Sequence, residues 1–237
     1  MNEKMKGIVT VFVDIDDTLW WFTENSKLAL RHTFDAFDIS SVCTYERFKE
    51  VYLKKNLELW NLYHHGLIDK DFLVNERFRF TLKECGYKGD VEKMCHLLDE
   101  EYLRFLALQS TTIPGARQLL EYLVAKGYDV NTLSNGFQGT QQQKLISGGL
   151  SGLIHRNVLS DDCGITKPQR GIFDYALEQC GAEAATTVMI GDNPDADIKG
   201  AHDAGWRTIY FNIRGLDPIE GTADAVVTSL DEIQQIL

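Results

Sequence analysis

The sequence predicts an α/β fold, a parallel sheet covered by helices, with an all-helical unit inserted after the first strand. Three observations predict it. An apolar β-branched run, Ile8 to Val13, ends abruptly at Asp14. From Phe22 to about Leu106 there is no proline, and apolar residues recur at helical rather than alternating spacing. From Pro114 onward, short apolar runs alternate with amphipathic ones, the pattern of right-handed β-α-β units whose parallel strands are buried on both faces.

Each element follows from its own residues. Ile8 to Val13 is the first strand. In the helical section Phe48, Val51 and Tyr52 make one apolar stripe, and Met94, Leu97, Leu98 and Leu103 make part of another. Gly66 and the stretches Cys85-Gly86-Tyr87 and Lys88-Gly89-Asp90 break the pattern, so a bundle of about four helices is expected. Pro114 opens a helix with Ala116, Leu119, Leu120, Leu123 and Val124 inward, and Gly127 closes it. Tyr128 to Leu133 is a strand, Gly139 to Gly148 a Gln-rich helix, and Arg156 to Ser160 a shorter strand. A helix from about Gln169 to Cys180 sets Ile172, Phe173, Ala176 and Leu177 on one face. Thr187 to Ile190, Thr208 to Phe211 and Ala225 to Val227 complete the strands, with a helix near Asp195 to Ala204 between the first two. The expected domains are therefore residues 1–21 plus 107–237 as the sheet core and 22–106 as the helical insertion.

A chain of 237 residues, 44% hydrophobic and 25% charged, is long enough to bury a substantial core. Its formal net charge of −11 disfavours a nucleic-acid polymer or an anionic membrane as partner, since both reward basic surfaces. An anionic small molecule is still compatible, because a metal ion inverts the field of a single cleft. Cys43, Cys85, Cys95, Cys163 and Cys180 are scattered and odd in number, which argues against a disulfide framework or zinc site and for a reducing cytoplasm. The apolar run before Asp14 is too short for a signal sequence or a membrane span. Nothing in the sequence sets the oligomeric state.

The candidate chemistry lies in four loops that follow or flank strand ends, where reactive groups of a parallel sheet collect. The first is Asp14-Ile15-Asp16-Asp17-Thr18. Two carboxylates at the end of a buried strand carry a heavy desolvation cost, which a metal ion would offset. The others are Ser134-Asn135-Gly136, Lys167-Pro168 and Gly191-Asp192-Asn193-Pro194-Asp195-Ala196-Asp197. Taken singly, each has a plain structural alternative: a capped turn, an ordinary turn tripeptide, a solvated lysine before a helix, a helix cap.

In order and spacing, the four loops together resemble the motifs of the haloacid-dehalogenase (HAD) superfamily. The likeness implies a Rossmann-like core with a C1-type helical cap. It also implies a phosphatase: Asp14 as nucleophile forming an aspartyl-phosphate, Asp16 as general acid and base, and Thr18 and Lys167 as further catalytic groups. Mg²⁺ would be held by Asp14, the backbone carbonyl of Asp16, Asp192 and, directly or through water, Asp197, with Asn193 a weaker candidate. The Ser134 hydroxyl, the Asn135 N–H in the Ser134-Asn135-Gly136 turn, and Thr18 would cradle phosphoryl oxygens. Asp17 has no assigned task. Haloacid dehalogenases generally lack the second aspartate, because a halide leaves without a proton; Asp16 therefore favours phosphoryl transfer.

The stretches around these motifs resemble the bacterial pyrimidine 5′-nucleotidase subgroup. They are Ser134-Asn135-Gly136-Phe137 running into Gln141-Gln142-Gln143-Lys144-Leu145, Ile172 to Gln179, and the cap residues Asn56, Leu59, Trp60, Tyr63, Gly66, Ile68, Arg77 and Phe78. The expected substrate is thus a small phosphate monoester, a nucleoside monophosphate first, with Trp20 and Trp60 offering faces for a base. The alternative for these aromatics is packing within the cap or its seam with the core, and for Arg77 a salt bridge within the cap. Alternatives for the activity are a sugar-phosphate phosphatase, a β-phosphoglucomutase-like phosphotransferase, or a non-catalytic binding protein of the same fold.

Overall fold

The computed structural model describes residues 4–237. Met1 to Glu3, with which the expected core begins, lie outside the described residues. Strand β1 (Thr10–Val13) is followed by helices α1 (Phe22–Ala36), α2 (Tyr45–His64), α3 (Lys70–Glu84) and α4 (Val91–Ala107). Next come α5 (Ala116–Ala125), β2 (Asp129–Ser134), α6 (Gln138–Ser147), β3 (Arg156–Leu159), the single turn α7 (Ser160–Cys163) and α8 (Arg170–Cys180). Strand β4 (Thr187–Gly191), the short helix α9 (Gly200–Asp203), β5 (Arg207–Phe211) and β6 (Ala225–Val227) complete the chain's regular elements.

The strands form one parallel sheet in the order β3-β2-β1-β4-β5-β6. In the middle, Val11 of β1 lies opposite Val130 on one side and Val188 on the other. The chain moves from β1 through β2 to β3, then crosses to β4 on the other flank. Strand order reverses at β1, so the loops after β1, β2 and β4 meet at the topological switch point, where α/β sheets bind ligands. Behind that edge Phe12, Leu133, Val158 and Met189 of the strands pack with Ile172, Phe173 and Ala176 of α8 and with Trp206. Phe173 meets Trp206 edge-on, with ring centroids 5.3 Å apart.

The chain divides into two compact units, residues 4–22 with Ser110–Leu237, and Thr23–Gln109. In the second, Thr44, Asp69 and Asp90 start α2, α3 and α4 by accepting backbone hydrogen bonds from Arg47, Phe72 and Lys93. Its interior is aromatic: Tyr52 lies 4.7 Å from Phe78 and 5.5 Å from Tyr102 between ring centroids. Beside these rings Arg77 donates from Nε (3.0 Å) and Nη2 (2.6 Å) to Asp99 Oδ1. Arg77 is therefore a buried salt-bridge residue within the helical unit.

Some expectations need correction. The inward face of α4 is Cys95, Leu98, Asp99, Tyr102 and Leu106, whereas Leu97 is exposed and Met94 and Leu103 are only half-buried. Apolarity alone misplaces the phase because a charged residue, Asp99, turns inward to meet Arg77. On α5, Val124 lies on the exposed rim of the apolar stripe. The helix expected near Asp195 to Ala204 begins as π-type turns over Pro194–Lys199 and tightens into α9. All five cysteines are free thiols. No helix among the described residues is long and apolar enough to cross a membrane.

Candidate active site

Strand β1 carries Asp14 directly to the sheet edge. Its N–H donates to Ile190 O at 2.9 Å, so the backbone ladder with β4 continues into the loop and fixes where the side chain starts. The chain then turns sharply at Asp17, whose φ of 58° lies in the left-handed region that a short polar side chain tolerates. The Asp17 N–H closes the turn on Trp20 O at 2.8 Å. Asp14, Asp17 and Thr18 are buried, while the Asp16 side chain keeps 29% of its surface exposed.

Lys167 joins three of the four loops. Its Nζ lies 2.6 Å from each of Asp14 Oδ1, Asp197 Oδ1 and Leu133 O, which spends all three ammonium protons on defined partners. No hydrogen bond reaches Asp14 Oδ2 among the described residues. The Lys167 backbone is held equally firmly: Asn135 Nδ2 donates to Lys167 O at 2.9 Å, and Lys167 N donates to Asn135 Oδ1 at 2.8 Å. The Lys167–Pro168 peptide bond is cis. Burial alone would lower the Lys167 pKa, but Asp14 and Asp197 outweigh it and hold the ammonium above its ordinary value.

The loop after β4 contributes acids. Gly191 has no side chain, and a Cβ there would run into the Asp197 side chain. Asp197 Oδ2 accepts the Asn193 N–H at 3.0 Å. The Asn193 side chain accepts from Asp195 N and Ala196 N, which makes it a cap for the π-type turns. Thr18 Oγ1 points to Asp192 Oδ1 over a long 3.4 Å. Arg214, from the loop after β5, places Nη2 3.1 Å from Asp17 Oδ2 and 2.7 Å from Asp192 Oδ2. The Asp192 oxygen nevertheless accepts no directed hydrogen bond, so that contact is one of charge rather than of bond geometry.

Carboxylate oxygens of Asp14, Asp192 and Asp197 all lie within 4.8 Å of one another. Burial pushes the Asp14 carboxyl up to about 7, with Lys167 pulling down and Asp197 and Asp16 pushing further up. Burial also raises Asp192 well above its ordinary value; Arg214 opposes this, and Asp197, Asp14 and Asp17 add to it. Four carboxylates, Asp14, Asp17, Asp192 and Asp197, thus face two cations, Lys167 and Arg214. An all-oxygen donor set with excess buried negative charge and an Asp192 oxygen that accepts no hydrogen bond suits a hard divalent cation such as Mg²⁺. Asp197, with both oxygens already bonded, is better placed to orient Lys167 than to bind an ion directly.

The Asp16 carboxylate is held by side chains of α6. Lys144 Nζ lies 2.7 Å from Asp16 Oδ1 and 3.1 Å from Oδ2, and Gln141 Nε2 donates to Oδ2 at 2.9 Å. Gln141 Nε2 also reaches Ser134 Oγ at 2.6 Å, and the Gly136 N–H donates to the same hydroxyl at 3.2 Å. A Cβ on Gly136 would collide with Gln141, which explains the glycine.

Asp14, Lys167, Asp192 and Asp197 therefore lie together, with Asn135 on the Lys167 backbone, while Ser134 and Gly136 meet Gln141, which also bonds Asp16. The aromatic expectations fare differently. Trp20 is fully buried, with the Lys144 ammonium 4.8 Å from its ring centroid, so it offers no free face for a base. Trp60 is half-buried on α2 and packs edge-on against Tyr63 at 5.7 Å, with the His64 ring at 5.5 Å. Asp17, given no task from sequence, is a buried partner of Arg214. Sequence reasoning assigned no role to Arg214, Gln141 or Lys144; the one available signal was the crowding of polar residues on the α6 face that follows Ser134. A separate groove of about 250 Å³, lined by Arg156, Asn157, Val158, Asp162, Tyr175 and Gln179, contains none of the site residues.

The profile of the family described as haloacid dehalogenase-like hydrolase matches residues 8–205. Pyrimidine 5′-nucleotidase YjjG of Escherichia coli is 33% identical over 229 residues, 96% of this chain and 96% of its own. Pyrimidine 5′-nucleotidase PynA of Streptococcus pneumoniae is 30% identical over 205 residues, 86% of this chain and 84% of its own. The crystal structure of the HAD-hydrolase YfnB from Bacillus subtilis, bound to magnesium, superposes with a TM-score of 0.87 at 32% identity, covering 98% of this chain and 99% of that one.

Proposed function

The chain belongs to the haloacid dehalogenase-like hydrolase family, and from that premise we propose that it is a magnesium-dependent phosphatase acting on nucleoside monophosphates, pyrimidine ones first. The observation that carries this reading is the division of labour between the two aspartates of the β1 loop. Asp14 is held by Lys167 at one oxygen and unengaged at the other, beside Asp192, while Asp16 has its own donors from α6.

In this reading Asp14 attacks phosphorus, the bond to the leaving oxygen breaks, and Asp16 delivers the proton that oxygen needs. Water then gives its proton to Asp16 as it attacks the aspartyl-phosphate, and the electron pair of the broken P–O bond returns to Asp14. Splitting the displacement this way replaces one hard step with two easier ones. The Ser134 hydroxyl, the Asn135 N–H and Thr18 bind phosphoryl oxygens. Lys167, its protons held by Asp14, Leu133 O and Asp197, supplies a fixed positive charge beside them. Preorganised donors and charges of this kind supply much of the rate in phosphoryl transfer. Asp14, Asp192 and the Asp16 carbonyl would hold Mg²⁺, with Asp197 beside them; when bound, the ion neutralises the carboxylates and draws charge from the phosphoryl oxygens. Substrate choice is assigned to the helical unit. The identities of 33% and 30% to two pyrimidine 5′-nucleotidases support a nucleotide over a sugar phosphate.

The test is phosphate release from a panel of nucleoside monophosphates and sugar phosphates, with Mg²⁺ or with a chelator. Turnover of pyrimidine monophosphates is expected with Mg²⁺, and Asp14→Asn should lower it by about 10³-fold or more. Release from sugar phosphates but from no nucleotide overturns the substrate assignment. Activity that survives both chelator and Asp14→Asn overturns the mechanism.

A further inference from the structure

Helix α6 buries an unusual set of side chains. Of its ten residues only Gln141, Lys144 and Leu145 are buried, so two of the three inward positions are polar. Gln141 and Lys144 are one turn apart and share a face. A buried ammonium carries a heavy desolvation cost unless it is paired, and a pair of this kind adds little net stability. Lys144, with 4% of its side chain exposed, meets that cost by reaching the side chain of Asp16, which is itself 29% exposed. Asp16 could satisfy its oxygens with water, so it does not need the lysine to remain folded. What the contact supplies is position.

The positioning device is complete at every side. Nζ of Lys144 engages both Asp16 oxygens, at 2.7 and 3.1 Å. The ammonium is kept there by two rings of its own unit, Trp20 at 4.8 Å and Phe22 at 5.3 Å to the centroids. Gln141 Nε2 is shared between Asp16 Oδ2 and Ser134 Oγ, which ties the carboxylate to the loop after β2. The orientation of that amide follows from its neighbours: reversed, Oε1 would face a carboxylate.

We propose that Lys144 and Gln141 are positioning residues that fix the Asp16 carboxylate beside Ser134 for its part in hydrolysis of the aspartyl-phosphate. The proposal rests on the phosphatase reading above. In the step concerned, water loses a proton to Asp16 while its oxygen bonds phosphorus. The P–O bond to Asp14 breaks, Asp14 recovers its carboxylate, and phosphate leaves with Asp16 protonated for the next substrate. A misplaced Asp16 therefore slows the second half of the cycle. The first half suffers less when the leaving group departs without a proton.

p-Nitrophenyl phosphate with Mg²⁺ separates the halves, because p-nitrophenolate needs no proton to leave. For Lys144→Met, which keeps an unbranched side chain but removes the ammonium, steady-state kcat should fall roughly 10- to 100-fold. A burst of p-nitrophenolate should appear at a rate within about threefold of the wild-type first turnover, in line with an acid-independent first step. Lys144→Arg should restore much of kcat, with KM changing less than kcat. Gln141→Met carries the same test if Lys144→Met does not fold. An active wild type whose Lys144→Met or Gln141→Met variant matches it in kcat, or loses burst and steady state in equal proportion, overturns the positioning role alone. A wild-type protein inert toward p-nitrophenyl phosphate and the nucleotide panel overturns the phosphatase reading, and the positioning role with it.

Discussion

Arg214 puts a cation against Asp17 and Asp192 in a cluster where a divalent ion competes for the same carboxylates. Removing it leaves more uncompensated negative charge around Asp192, and a doubly charged ion gains more from that field than the lost guanidinium did. Arg214→Met should therefore tighten Mg²⁺ binding, by roughly three- to tenfold once solvent screening of a 42%-exposed side chain is allowed for. Calorimetric titration of the metal-free protein measures it, and unchanged or weaker binding rejects the idea. Arg214 was not legible in the sequence because it lies past β5 in a stretch with no motif, and only the sheet's closure brings it to Asp192. Asp14, Ser134, Lys167 and Asp192 were legible for the opposite reason. Each follows or flanks a strand end, and parallel strands gather such loops at one edge. The Asn135 side chain, which clamps the Lys167 backbone, falls between: its turn was visible, but its task was not.

At the level of elements, the periodic helices and apolar strands could be read directly, and β6 starts and ends where its three-residue run predicts. Reading failed where polarity and burial part company. On α4 the inward face turns to follow Asp99, and on α6 it carries Gln141 and Lys144, so hydrophobic spacing misplaces the first and underrates the second. The π-type turns after Asn193 escape detection because they share α-helical composition; their winding serves the loop that sets Asp197 beside Lys167. The α3–α4 pair allows a quantitative check. Arg77→Met leaves Asp99 buried without its partner, which should destabilise the protein by about 3–5 kcal/mol, whereas the double variant Arg77→Met/Asp99→Leu should recover most of that loss. Urea unfolding gives both values, and a single variant costing under about 1 kcal/mol would show that the pair is not what aligns these helices.

For the whole molecule, the site makes stability depend on pH and metal together. The folded protein holds the Asp14 carboxyl at about 7, against 3.8 for the ordinary group, and Asp192 is raised in the same direction. A carboxyl raised on folding is bound to its proton more tightly in the native state than in the unfolded one. Its contribution is therefore fully present below pH 4 and is lost as pH rises through about 7. In chelator, the unfolding midpoint should drop across that interval by about 5 °C or more, relative to an Asp14→Asn variant that has no carboxyl to ionise. Bound Mg²⁺ reverses the preference by stabilising the ionised carboxylates, so the wild-type decline should flatten and the protection given by metal should grow with pH. The two curves then cross: above pH 7 Asp14→Asn is the more stable protein without metal and the less stable one with it. A wild-type midpoint that falls equally with pH in chelator and in Mg²⁺ would mean that the carboxylates at the β1 edge are not the groups coupling metal to the fold.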